Sequence, residues 1–307
     1  MKLLKQLIAV HATSGDESPM KEFLLEHIKT EQKKWKKKPK LFFGDSFQDA
    51  LILVFGKPTT AVYAHMDSIG YTVGYDNHLI KIGSPVTQDG VELVGRDSRG
   101  EIETELLVME HENGEKHLQC VYKRKIDRGT PLAFKPDFRE TKQFVQSPYL
   151  DNRLGIWIAL QLAKTLENGA IVFSTYEEHH GGSAGFLGRF LYEKFKIRQA
   201  LICDITWVTE GVSHGKGVAI SLRDYSIPRR NYVQRIIHIA EKNKIKYQLE
   251  VESAGGSDGT ILQASELPVD WCFVGAPENN VHSPDEKVHK EDIASMLAMY
   301  QALMKEL

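Results

Sequence analysis

Cysteine is scarce. Cys120, Cys203 and Cys272 stand far apart in a chain of 307 residues and show no zinc-ligand spacing. That argues against a disulfide framework and fits a reducing compartment. Charge of one sign is missing as well. Lysine and arginine total 39 against 41 aspartates and glutamates, a formal net charge of −2. Nothing in that balance pulls the chain toward nucleic acid or an anionic membrane. No uninterrupted apolar run approaches membrane-spanning length, and no internal repeat or low-complexity segment stands out. The first ten residues faintly suggest a signal peptide, but Lys5 and Gln6 interrupt the apolar part. Leu3, Leu4, Leu7 and Ile8 instead make a helical face, so the expected location is cytoplasmic. One basic run, Lys33 to Lys40, reads as a solvated loop closed by Pro39 rather than a phosphate-binding patch.

What is present is an alternation of strands and helices. Ser18-Pro19 marks a helix start, with Ser at the cap and Pro in the first turn; Met20, Phe23, Leu24, His27 and Ile28 form its apolar stripe. Leu51–Phe55 and Ala61–Ala64 read as two neighbouring strands. From Asp151 onward the pattern is helix, strand 170–173, helix 184–195, strand 200–203 and strand 217–222. A helix opened by Pro228, strands at 247–251 and 268–274, and a C-terminal helix from Glu291 follow. Such alternation predicts an α/β fold with a helix-flanked, mostly parallel sheet. Between Tyr71 and Pro148 the texture differs. Short alternating segments are broken by turn signals such as Asp89-Gly90, Arg99-Gly100 and Asn113-Gly114, and no amphipathic helix fits. The expectation is a catalytic domain of residues 1–70 and 148–307, interrupted by a small β-barrel-like domain of residues 71–147.

The chain is organised around Ser174-Thr175-Tyr176-Glu177-Glu178-His179-His180-Gly181-Gly182, which follows the apolar strand Ala170-Ile171-Val172-Phe173. The carboxyl end of a central strand is where open α/β sheets bind ligands. Four other segments put metal-ligand residue types in comparable places. His65 and Asp67 follow the Ala61 strand, and Asp151 opens a helix. Asp204 follows the Ala200 strand, and His282 lies in the loop after the Val269 strand. Each has a plain reading by itself: a core histidine, a helix cap, a turn, a solvated side chain. Five together, offering two imidazoles and several carboxylates without thiolate, suit Zn²⁺, Co²⁺ or Mn²⁺ in a hydrolytic site.

These residues, in the order Ala64-His65-Met66-Asp67, Leu150-Asp151-Asn152-Arg153, Glu177-Glu178, Cys203-Asp204-Ile205-Thr206 and Val281-His282-Ser283-Pro284-Asp285-Glu286, carry a family resemblance. The chain resembles the di-metal aminopeptidases of the glutamyl-aminopeptidase and deblocking-aminopeptidase family, known for tetrahedral assemblies. The Gly215-Lys216-Gly217 and Gly255-Gly256-Ser257-Asp258-Gly259 segments are similar to that family too. The resemblance implies two divalent ions bridged by Asp151, with His65 and Asp204 completing one site and Glu178 and His282 the other. It implies Glu177 as general base and Asp67 as the carboxylate that orients His65. Substrate contacts are expected from Gly256, Ser257, Asp258 and His179. His179 and His180, where the family usually has other residues, line a substrate pocket, bind stray metal or pack beside the site. The function expected is a metal-dependent aminopeptidase acting on short peptides as a homo-oligomer, a dimer or more, up to a twelve-subunit shell. A related carboxypeptidase or deacylase is the alternative within hydrolases. A catalytically silent scaffold on the same fold is the alternative from another class.

Overall fold

The computed structural model describes residues 1–110, 114 and 116–307. Its frame is a 12-stranded sheet whose centre is Gly169–Ser174, Thr60–His65, Gln199–Ile202 and Asp270–Asn279, hydrogen-bonded in that order. These four strands run parallel, with Ser174 opposite His65, Ile202 opposite Tyr63 and Ile202 opposite Phe273. Their carboxyl ends therefore share one edge.

Every residue of Leu51–Phe55, Thr60–His65 and Gly169–Ser174 is buried, as expected of strands covered on both faces. Successive side chains divide between the faces. Leu51, Leu53, Phe55, Val62, Ala64, Ile171 and Phe173 meet the helices Lys2–Ile8, Ser18–Glu31, Leu150–Ala163 and Lys290–Glu306. Ile52, Val54, Ala61, Tyr63, Ala170 and Val172 meet Ala184–Phe195 and Asp258–Ala264.

Several expectations change in detail. The sheet is mixed: Lys40–Phe42, Leu51–Phe55, Lys287–His289, Phe144–Gln146 and Arg139–Glu140 add antiparallel edges to the parallel centre. Leu51–Phe55 and Thr60–His65 are not neighbours, because Gly169–Ser174 lies between them. The close approach of two turns permits this. Asn168 Oδ1 accepts the Lys57 N–H at 2.9 Å. A Cβ on Gly56, where φ is +53°, would lie 2.2 Å from that oxygen. In the second helix Glu17, not Ser18, holds the cap position, without a side-chain cap bond. Phe23 and His27 are only half-buried there, as are Ile237, Leu297 and Met304 farther on. The helix Asp258–Ala264 and the short strands Ile205–Trp207 and Lys287–His289 add to the expected elements.

The insert is a six-stranded antiparallel sheet built from Gly70–Val73 to Pro131–Phe134. A bridge between His78 and Gln119 nearly closes it into a barrel. Its long strand Gly100–Glu110 buries Ile102, Thr104 and Leu106 and exposes Glu101, Glu103 and Glu105, the alternation of a sheet wet on one side. The Asp89-Gly90 and Arg99-Gly100 signals fall at turns or strand starts; Asn113 lies outside the described residues. Phe144–Gln146 and Arg139–Glu140 fall within the range expected for the insert, yet they pair with the large sheet through Lys287–His289.

Candidate active site

The common strand edge gathers the charged residues. His65 ends its strand, and two residues later Asp67 is fully buried. The Asp67 carboxylate accepts the N–H of Glu177 at 3.1 Å, the N–H of Glu178 at 3.0 Å and the Ser14 hydroxyl at 2.6 Å. It thereby pins the paired glutamates to the next strand exit. It also lies 3.5 Å from His65 Nδ1, whose other near neighbour is the Asp67 carbonyl at 3.2 Å.

Asp151 precedes the regular part of the helix Leu150–Ala163, at φ −77° and ψ 107°, and its peptide bond to Asn152 is cis. Asn152 ties this turn to the neighbouring strand exit. Its Nδ2 donates to the Cys203 carbonyl at 2.9 Å and its Oδ1 accepts the Gly155 N–H at 2.8 Å. A Cβ at Gly155 would lie 2.1 Å from both that carbonyl and Asn152 Oδ1, so the approach requires glycine. His282 sits between Asn279 and Lys287 with φ +62°, and Tyr176, next to the glutamates, has φ +61°. Left-handed non-glycine residues concentrate at functional sites, held by surrounding contacts.

The side chains converge around Asp151. Its Oδ1 is 3.1 Å from His65 Nε2 and its Oδ2 is 3.3 Å from His282 Nε2. Asp204 Oδ2 is 3.4 Å from His65 Nε2, and Glu178 Oε2 is 3.0 Å from His282 Nε2. Glu177 Oε2 stands 3.9 Å from His65 Nε2. Donor atoms of His65, Asp151 and Glu178 all fall within 4.8 Å of one another.

Such a cluster is electrostatically unbalanced. Burial, with Asp204 and Glu178 adding and His65 opposing, pushes Glu177 well above the carboxylate range. Burial and Asp151 raise Glu178 to about 7, and burial raises Asp204. Burial alone would lower the histidines, but their carboxylate neighbours hold His65 well up and push His282 up to about 12. Glu178 Oε1 is buried without a hydrogen-bond partner among the described residues. Crowded carboxylates, an orphan oxygen and imidazole nitrogens facing them form a donor set that a divalent cation would satisfy.

Several supporting residues carried no assigned role in the sequence reading. Glu286 is fully buried and accepts both the Asp151 N–H and the His282 N–H at 3.1 Å. Arg153, also fully buried, donates to the carbonyls of Met66, Asp67 and Ala12. Both stand inside segments quoted for the resemblance, which was the available signal. Ser84, from the insert, meets His282 Nδ1 at 2.8 Å, and nothing local in the sequence marks it. Glu278, 1% exposed, has neither oxygen hydrogen-bonded among the described residues, and burial raises it well above its ordinary range.

A cavity of about 310 Å³ opens onto Asp151, Glu177, Glu178, Asp204 and His282, and Gly256 lines it as well. Ser257, Asp258 and His179 do not. Ser257 caps the helix Asp258–Ala264, and Asp258 is buried against the Ser174 hydroxyl. His179 accepts the Gly83 N–H at 3.1 Å and packs on His180, with ring centres 4.6 Å apart.

Comparison with known proteins gives this geometry a setting. A relative from Acetivibrio thermocellus, named "Putative aminopeptidase", is 27% identical over 321 residues, spanning 95% of this chain and 94% of its own. The structure of an aminopeptidase from the archaeon Desulfurococcus kamchatkensis superposes with a TM-score of 0.86 at 22% identity, covering 100% of this chain and 94% of that one. The Pyrococcus horikoshii TET1 peptidase, which can assemble into a tetrahedron or a large octahedral shell, superposes with a TM-score of 0.82 at 21% identity, covering 100% and 99%. The profile of the M42 glutamyl aminopeptidase family matches residues 111–299, more than half of the chain. That match, on a fold whose strand exits assemble a divalent-cation donor set, makes the chain a member of the M42 glutamyl aminopeptidase family and a metal-dependent aminopeptidase.

Proposed function

We propose that the chain removes N-terminal residues from short peptides with two divalent ions, Zn²⁺ or Co²⁺, with Mn²⁺ as the further candidate. The observation that carries the reading is the division of Asp151, one oxygen toward His65 and the other toward His282. His65 and Asp204 then form one donor group, and His282 and Glu178 the other, with Asp151 common to both. Bound divalent ions supply Lewis acidity for the scissile carbonyl and make water a nucleophile near neutral pH. Glu177 accepts the proton of the attacking water and delivers it to the leaving amine nitrogen. Asp67 holds His65 in orientation from its Nδ1 side, while its hold on the Glu177 and Glu178 N–H groups keeps base and ligand in register. Ser84 does the corresponding work at His282 Nδ1.

The six-stranded insert, Gly70–Val73 to Pro131–Phe134, is the association element of this reading. Tyr75, Ile80, Val86, Met109 and Val121 are its exposed apolar side chains, and such surfaces favour burial against another subunit. The expected state is a homo-oligomer, at least a dimer, with a twelve-subunit shell as its upper form. The three cysteines, all free and buried, support a cytoplasmic setting.

The test is release of N-terminal residues from unblocked peptides by chelator-treated protein resupplied with Zn²⁺, Co²⁺ or Mn²⁺. Release that depends on the added ion is expected. Release of C-terminal residues, or equal activity on N-acetylated peptides, would overturn the reading.

A further inference from the structure

The cavity that opens onto the histidines and glutamates has a second acidic wall. Asp224, Glu250 and Glu252 line it, and topology places them together. The strands Val218–Arg223 and Tyr247–Val251 run parallel, with Ser221 opposite Glu250 and Arg223 opposite Val251. Parallel strands end at the same edge, so Asp224, one residue past the first, meets Glu250 and Glu252 at the end of the second.

Among the described residues this wall has no ion-paired partner. Asp224 and Glu250 are 8% and 3% exposed as whole residues, and both line the cavity. Their hydrogen bonds come from neutral donors: the Ser226 N–H serves Asp224, and the Thr206 hydroxyl serves Glu250. Among the described residues no lysine, arginine or histidine nitrogen lies within 4.0 Å of the three carboxylates. Arg223, whose charge acts on Asp224, gives its Nε–H to the main-chain carbonyls of Asp224 at 3.3 Å and Glu252 at 3.1 Å. Burial raises both Asp224 and Glu250, and Asp224 and Glu252 add to the rise at Glu250. Buried acids without a cation await one. Ile205, Trp207, Phe273 and Val281 line the same cavity, beside Ser84 and Thr206. Apolar side chains between the histidines and these carboxylates match a side chain of several methylenes that ends in a cation. Trp207 adds a ring face suited to a guanidinium.

We propose that Asp224, Glu250 and Glu252 form the pocket for the side chain of the residue removed, and that this chain favours peptides beginning with arginine or lysine. The proposal rests on the aminopeptidase reading. It also separates this chain from the glutamyl preference in its family's name, because an anionic side chain would face three carboxylates at this wall.

The experiment compares kcat/KM of the metal-loaded full chain on X-Ala-Ala peptides, where X is arginine, lysine, norleucine or glutamate. Norleucine keeps the α-amino group and four-carbon stem but lacks the terminal charge. Arginine and lysine should exceed norleucine by about 10-fold or more, with glutamate lowest. Glu250→Gln and Asp224→Asn should each shrink the lysine-to-norleucine ratio by about 10-fold. Glu252→Gln, at a half-buried position, provides the same reading if a buried variant fails to fold. Calorimetry with free L-lysine, L-arginine and L-norleucine, which are not hydrolysed, should give the same order. Norleucine equal to lysine in both measurements overturns the pocket and leaves the aminopeptidase reading standing. No N-terminal release from any peptide, with lysine still bound preferentially, overturns that reading and leaves the pocket. Equal losses for lysine and norleucine in Glu250→Gln would assign the acids to the α-amino group instead. A third divalent ion lost in that variant would make the wall a metal site. Either result overturns the proposal.

Discussion

The large sheet and the six-stranded insert handle their acids in opposite ways. In the insert, Asp97 sits against Arg124, Asp76 against Lys125 and Asp127 against the Ser98 hydroxyl, and each is held below the usual carboxylate range by that partner. At the sheet edge, Glu177, Glu178 and Asp204 are all raised, burial being the main cause. The insert's acids are paired in the folded chain itself. At the sheet edge Asp67 and Asp151 are held low by their histidine neighbours, while the three raised acids crowd around them without a cation of their own. Packing differs in parallel, since the central strands are buried on both faces while the insert's long strand Gly100–Glu110 alternates between core and water. The proposed chemistry and the proposed association fall on different parts of one chain, and substitutions should separate them.

The largest effect is expected from Asp151→Ala. With both donor groups losing their common carboxylate, purified protein should retain no stoichiometric divalent ion and show no detectable turnover, while its oligomeric mass stays unchanged. Glu178→Ala or Asp204→Ala should weaken one ion preferentially. Elemental analysis and light scattering check both halves, and two ions retained in Asp151→Ala would remove it from the shared position.

Glu177→Gln comes next. Glutamine keeps the shape but cannot accept the water's proton, so turnover should fall by about 10²-fold or more with metal content unchanged. A variant with near-normal kcat would move the base elsewhere.

Smaller effects fall on stability. Phe173→Ala, in a fully buried strand, should destabilise by about 3–5 kcal/mol in denaturant unfolding. Ile80→Ser, at a position 59% exposed in the insert, should change stability by about 0.5 kcal/mol or less yet reduce the oligomeric mass. An unchanged mass would take the insert out of the interface.

A pH dependence tests the crowding of the site separately. In metal-free protein burial holds Glu178 at about 7, Glu17 at about 7 and Asp258 at about 6, all above their unfolded values. The stability they contribute is complete below about pH 4.5 and is lost as pH rises through 6 to 7. Chelated protein should therefore melt at a lower temperature at pH 8 than at pH 5, and added Zn²⁺ should reverse the difference. A melting temperature that rises with pH in the chelated protein would contradict the crowding of the site.

Local pattern carried much of this molecule. Buried runs such as Ala170–Phe173 declare strands because water-free faces leave no polar position, and residues just past a strand's carboxyl end are exposed to the ligand edge of any parallel sheet. His65, Asp67, Glu177, Glu178 and Asp204 could therefore be singled out without coordinates, as could the turn-rich insert, which has no α-helix among its described residues. Pairing partners were beyond that reach. Nothing near Leu51–Phe55 announces that Gly169–Ser174 would separate it from Thr60–His65, because strand order depends on contacts more than one hundred residues apart in sequence. The same holds for Ser84 at His282, for Glu286 holding the Asp151 and His282 backbones, and for the acids Asp224, Glu250 and Glu252. Each is an unremarkable residue locally and acquires its part only from what the fold sets opposite it. Sequence by itself determined the kinds of element and the ligand chemistry, since these follow from side-chain periodicity and donor type. Tertiary structure alone decided which donors face one another and which acids are left without a cation, since those are properties of distance and burial.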